Sequence, residues 1–180
     1  MSEEKKTKEL TTPEQEYDLL LESIRETGAS FNLEVIEKAY RFASHAHREQ
    51  MRKSGEMYIT HPLAVARIAR SLKLDQASIV AAILHDTVED TDVTLQCIES
   101  EFGEEVMCIV DGLTKISKIK FRSSQEKLAE NFRKMILAMA KDLRVILIKL
   151  CDRLHNMRTI SSMADHKKKQ IGRASCRERV

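Results

Sequence analysis

The apolar run AAILHDTVEDT ends in adjacent His85 and Asp86, just where a cluster of acids begins. A neighbouring histidine and aspartate offer a divalent cation one nitrogen and one oxygen ligand from a single turn of backbone. Further ligands of the same types flank the pair. His61 lies upstream in YITHPLAVARI and Asp152 downstream in IKLCDRLHNMRT. Two imidazoles and two carboxylates with open positions suit a first-row divalent ion such as Mn²⁺ better than Ca²⁺. Such an ion polarises a phosphate oxygen and lowers the pKa of a water, which is the chemistry of phosphate-ester hydrolysis.

Polar companions surround these four residues. Glu89 falls four residues after His85 and three after Asp86, on one face of a continuous helix, and with Asp90 it is placed to move protons or orient water. Asp152, His155 or Asn156, and Thr159 share a face by the same spacing. Carboxylates on otherwise apolar helices are costly to bury unpaired, and a cation between the helices offsets that cost. Arg52 and Lys53 precede Ser54-Gly55, which puts two cations and a flexible backbone beside His61, as a polyphosphate or a stacked base requires. Each residue alone has a plainer reading, His61 as a helix cap and His85 as a core histidine. The conjunction argues for a site. His45 and His47 read as structural, Met135 and Met139 as core, and Lys115, Lys118 and Lys120 as a solvated connection; His166 carries no signal.

The elements that position these groups read as helices. Five Gly and two Pro in 180 residues leave little turn chemistry for a sheet protein. Pro13 opens a first helix with Tyr17, Leu20, Leu21 and Ile24 at helical spacing, ended by Gly28. Asn32 caps a second, carrying Leu33, Ile36, Ala39, Tyr40 and Ala43. MRKSGEMYITH is a loop. Pro62 fits the first turn of a third helix, which packs Val65, Ile68, Ala69 and Leu72. Asp75 starts a fourth, buried helix that runs unbroken through DQASIVAAILHDTVED. Shorter helices begin at Thr94 or Asp92 and after Gly103, LTKISKIKFRSS is an irregular basic connection, and a seventh helix carries Leu128, Phe132, Met135, Ile136 and Met139. Asp142 caps the eighth, RVILIKLCDRLHNMRTI. The expected class is all-α, with a mobile leader over 1–12, a domain over 13–164 and a basic tail over 165–180.

Charge and cysteines narrow the setting. A formal net charge of +2 is too small to argue for nucleic acid or a membrane surface. From 165 onward the chain is +4, leaving the rest at −2. Cys97, Cys108 and Cys151 sit among apolar residues as small core hydrophobes, and Cys176 lies in the tail. Without an apolar leader or a membrane-length run, the expected compartment is a reducing cytoplasm.

RKSGEMYITHP, AAILHDTVEDT, EFGEEV…DGLTKI and ILIKLCDRLHNMRT resemble the hydrolase domain of the long RelA/SpoT-type alarmone enzymes, within the HD phosphohydrolase superfamily. The resemblance runs from about residue 14 to residue 160. It implies an HD-domain helical bundle that holds Mn²⁺ and removes the 3′-pyrophosphate of (p)ppGpp to give GDP or GTP. Matched by motif, His61, His85, Asp86 and Asp152 are the implied metal ligands and Glu89 with Asp90 the implied catalytic acids. Arg52 and Lys53 are implied guanine and phosphate contacts, Asn156 and Thr159 part of the nucleotide pocket, and Ser54 and Tyr58 members of the binding loop. Synthetase and regulatory domains, which follow in long members, are not in this chain. IGRASCRERV departs from the family pattern and reads as a non-native tail, so the domain is expected to be an N-terminal fragment. Two alternatives stay open: an HD hydrolase for another nucleotide, and a truncated fragment without catalysis.

Overall fold

A computed structural model describes residues 11–26, 30–52, 54–117 and 142–159. Eight helices lie among them: α1 (Pro13–Arg25), α2 (Leu33–Ala46), α3 (Thr60–Ser71), α4 (Gln76–Leu84), α5 (Thr87–Asp90), α6 (Leu95–Phe102), α7 (Glu104–Ser117) and α8 (Leu143–Arg158). Among the described residues the only β-pairing is a single antiparallel bridge, Met51 to Met57, which pinches the loop before α3. The expected helix around Leu128–Met139, the 1–10 leader and the stretch from 160 onward lie outside the described residues.

Helix starts follow the polar side chains that satisfy otherwise unpaired first-turn amides. Thr12 and Gln15 form a reciprocal capping box on α1. Asn32, Asp75, Thr94 and Asp142 cap α2, α4, α6 and α8. Gly103, at φ +87°, ends α6 in a conformation that side-chain-bearing residues avoid.

The centre of the molecule is α4, in which Ser78 to Leu84 are all buried. Burying Ile79, Val80, Ile83 and Leu84 stabilises the fold by roughly 1.5–3 kcal/mol per side chain. Around it pack α2, α3 and α7, while α3 also contacts α1 and α8, and α7 contacts α6 and α8. Buried Glu16 on α1 accepts from Arg67 Nε on α3 at 2.8 Å, tying these two helices together.

Four expectations need correction. The fourth helix does not run through Asp90, because it stops at Leu84 and α5 begins at Thr87. His85 Nδ1 donates to Ala82 O at 2.8 Å and Thr87 Oγ1 to Leu84 O at 2.7 Å. These side chains occupy carbonyls at the very place where the backbone ladder stops. Residues 113–117 belong to α7 and are not an irregular connection; Lys115 there pairs with Asp111 one turn back. Leu72 is half exposed just past the end of α3. Cys97 and Cys108 are exposed, because α6 and α7 turn Ile98, Val106, Ile109 and Val110 inward instead.

Candidate metal centre

Three elements converge on one point. His61 comes from the first turn of α3, His85 and Asp86 from the break between α4 and α5, and Asp152 from α8. Ligand atoms of His61, His85 and Asp86 all lie within 4.8 Å of one another. Asp152 Oδ1 is 3.3 Å from His61 Nε2, and Asp86 Oδ2 is 3.8 Å from the same nitrogen and 3.0 Å from His85 Nε2. Donors bound to one ion at about 2.1 Å sit at comparable separations. Asp152 stands at the edge of the group, since its Oδ1 also accepts from Asn156 Nδ2 at 2.6 Å and its Oδ2 pairs with Lys149 at 3.0 Å.

His85 supplies the sharpest indication that a cation belongs here. Its Nδ1 faces a carbonyl, which only accepts, so Nδ1 carries the proton. The Nε2 atom is completely buried without a hydrogen-bond partner, although Asp86 lies close by. A neutral imidazole would therefore turn its lone pair toward a carboxylate. Either a proton or a metal ion resolves that conflict. Burial opposes the charged ring, but the Asp86 and Asp152 carboxylates prevail and push His85 up to about 9. Against the same burial, His85 holds Asp86 well below the usual carboxylate range, and the adjacent His61 does so for Asp152. Both acids are anions ready to bind a cation, and a histidine with Nδ1–H on a backbone carbonyl is the arrangement metal ligands adopt.

The surrounding groups are organised about this cluster. Tyr58 OH lies 2.7 Å from Asp86 Oδ2 and 3.0 Å from Asp90 Oδ2, so one hydroxyl joins a candidate ligand to a candidate proton carrier. Burial and these two carboxylates push the phenol above its ordinary range. Asp90 is exposed and Glu89 half-buried on α5, with both amides bonded to Asp86 O. Gln50 Nε2 donates to Asp90 O at 2.7 Å, and the Gln50 side-chain Oε1 accepts from His47 Nδ1 at 2.8 Å. Buried His47 also packs its ring 4.7 Å from that of Tyr58. The structural role expected of His47 is thus support for the site loop, through nearby Gln50 and the ring of Tyr58.

On the opposite side Arg52 Nη2 approaches Thr159 Oγ1 at 3.4 Å, closing the loop onto the end of α8. Asn156 holds Asp152. Ser54 bonds within the loop to Glu56 Oε2 at 3.0 Å. Lys53 lies outside the described residues. Sequence reasoning missed the role of His155, whose Nδ1 is 2.7 Å from His61 Nδ1. Its only signal was its place on the Asp152 face of α8.

Comparison with known proteins gives the family. The HD domain family matches residues 39–177. The bifunctional (p)ppGpp synthase/hydrolase SpoT of Escherichia coli K12 is 53% identical over 138 residues, covering 77% of this chain and 20% of that protein. The GTP pyrophosphokinase of Myxococcus xanthus is 54% identical over 143 residues, 78% of this chain and 19% of its own. A guanosine-3′,5′-bis(diphosphate) 3′-pyrophosphohydrolase of Aquifex aeolicus is 52% identical over 140 residues, 78% of this chain and 20% of its own. The chain thus spans about a fifth of the length of these relatives. A solved structure of a metazoan ortholog of SpoT, described as hydrolysing ppGpp and acting in starvation responses, aligns with TM-score 0.61 and 27% identity. That alignment covers 79% of this chain and 82% of the solved one. By family match, by identity and by fold, the chain belongs to the HD domain family.

Proposed function

We propose that this chain is a metal-dependent pyrophosphohydrolase domain that removes the 3′-pyrophosphate of ppGpp or pppGpp. The observation that carries the reading is the convergence of His61, His85, Asp86 and Asp152, with the buried His85 Nε2 free of hydrogen bonds yet 3.0 Å from the Asp86 carboxylate, beside the Tyr58-linked Asp90. The names of the relatives give the substrate class, a guanine nucleotide with diphosphates on both ribose oxygens. Mn²⁺ is the proposed ion, since mixed imidazole and carboxylate donors suit it. When bound, it supplies Lewis acidity toward a phosphate oxygen and a water. Asp90, exposed and aligned by Tyr58, accepts the proton of the attacking water, with Glu89 on the same turn orienting it. Water oxygen bonds to the phosphorus attached at the 3′ position as the bond to the ribose oxygen breaks. That oxygen takes up a proton, leaving GDP or GTP and pyrophosphate. Arg52 and Lys53 hold guanine or phosphate, Ser54 and Tyr58 shape the binding loop, and Asn156 and Thr159 line the nucleotide side.

Synthetase and regulatory functions belong to segments outside this chain in the proposed parent protein. The proposed setting is the cytoplasm; no helix among the described residues is long and apolar enough to cross a membrane. Pyrophosphate release from ppGpp with Mn²⁺, compared with GMP and cyclic nucleotides, tests the reading. Turnover of ppGpp by the parent chain and a loss of at least about a thousandfold in Asp86→Ala are expected. Faster turnover of another nucleotide would overturn the specificity, and equal rates in the variant would place the activity elsewhere.

A further inference from the structure

We propose that His155 is a positioning residue that fixes the tautomer of His61 and so keeps the His61 Nε2 lone pair available to a divalent cation. The inference rests on the metal-centre reading above and adds a residue that no ligand set requires.

The two Nδ1 atoms are 2.7 Å apart, with ring centroids separated by 4.9 Å. Between two neutral imidazoles at that distance one nitrogen donates and the other accepts. A neutral ring carries a single N–H, so the role of His61 at Nδ1 decides the state of its Nε2. Two tautomers compete. In one, His61 Nδ1–H donates to His155 Nδ1, His155 holds its own proton on Nε2, and His61 Nε2 presents a lone pair to the cluster. In the other, His61 Nε2–H donates to Asp152 Oδ1 at 3.3 Å, which leaves no lone pair for a metal. Asp152 already accepts from Asn156 at 2.6 Å on that oxygen and pairs with Lys149 on the other. It therefore needs the His61 proton less than a bare carboxylate would. His155 provides the competing acceptor, from the same face of α8 as Asp152. His85 solves the same problem with a backbone carbonyl, Ala82 O. His61 sits in the first turn of α3, where the backbone immediately before it is a loop, and a side chain from another helix does the work instead.

The test compares the full chain with His155→Leu, which removes the acceptor, and His155→Asn, which can return an oxygen near the Nδ1 position. Two readouts are independent of turnover. Nitrogen-15 NMR of the metal-free protein reports which ring nitrogen of His61 is protonated, and calorimetric or EPR titration with Mn²⁺ alone reports affinity. The parent chain and His155→Asn are expected to show His61 protonated at Nδ1 and similar Mn²⁺ affinity. His155→Leu is expected to shift the proton toward Nε2 and to weaken Mn²⁺ binding about tenfold to a hundredfold. A parent His61 protonated at Nε2 would overturn the proposal even if His155→Leu failed to fold. So would unchanged affinity in folded His155→Leu, or a His155→Asn variant as weak as His155→Leu. Absence of Mn²⁺ binding by the parent would instead sink the metal-centre reading itself, and this proposal with it.

Discussion

Tyr58 has one hydroxyl proton and two carboxylate neighbours, so removing the hydroxyl frees Asp86 and Asp90 together. Tyr58→Phe is expected to lower kcat about ten- to a hundredfold through misplaced groups, with KM little changed. Steady-state pyrophosphate release separates this from a simple nucleotide contact, for which KM would rise and kcat would stay. The sequence pointed to Tyr58 as a loop residue near the nucleotide, but a phenol bridging two acids depends on how the 50–60 loop folds over α5. The four ligand candidates were easier to read. A histidine or aspartate among apolar helical residues has few structural uses, and four such residues reinforce one another. His155 was ambiguous with Asn156 by spacing, and the structure divides the work between them: Asn156 holds Asp152 and His155 holds His61. Burial and the nearby His61 and Arg52 push His155 down to about 3.

Helix-to-helix contacts make two further predictions. Gly112 on α7 faces Val145 on α8 so closely that a Cβ would lie 2.8 Å from Val145 Cγ2. Valine is branched at Cβ and cannot swing away cheaply. Gly112→Ala should therefore destabilise the protein by about 1–3 kcal/mol in urea denaturation, and Val145→Ala in the same chain should recover part of it. Arg144 joins three helices, pairing with Asp142 at the start of α8, Asp75 at the start of α4 and Glu105 on α7. The Arg144 hydrogen bonds hold Asp142 below its ordinary value; at Asp75 burial acts the other way, but Ser78 and Arg144 outweigh it. A carboxyl depressed in the folded state stabilises above its unfolded pKa and loses that contribution as pH falls through its folded pKa. Stability should thus decline below about pH 4, and thermal melts of Arg144→Ala should show a shallower decline. Its cost near neutrality should be about 1 kcal/mol, because much of the cluster is open to solvent. The break at His85-Asp86 was not legible, since LHDTVED contains nothing that forbids a helix. Two side chains reaching Ala82 O and Leu84 O mark it instead.

Across the whole molecule, the all-helical class followed from few Gly and Pro and from 3.6-residue periodicity, and the cap residues at Asn32, Asp75, Thr94 and Asp142 stand where polar types preceded apolar runs. Where the pattern misled, Cys97 and Cys108 lie on the outer sides of α6 and α7 and Leu72 lies just past the end of α3. An ion at the proposed centre would tie α3, the α4–α5 junction and α8 into one unit. Mn²⁺ at a hundredfold its Kd should therefore add about 2.7 kcal/mol. That corresponds to a rise in Tm of roughly 5–10 °C by scanning calorimetry, absent in Asp86→Ala. The early end of α4 has a last consequence. Peptide dipoles along α4 sum toward a partial negative charge at its final carbonyls, and that end abuts His85 and Asp86. With the helix buried over most of its length, little water screens this field. The scaffold itself therefore favours a positive occupant at the pocket, before any side-chain ligand is counted.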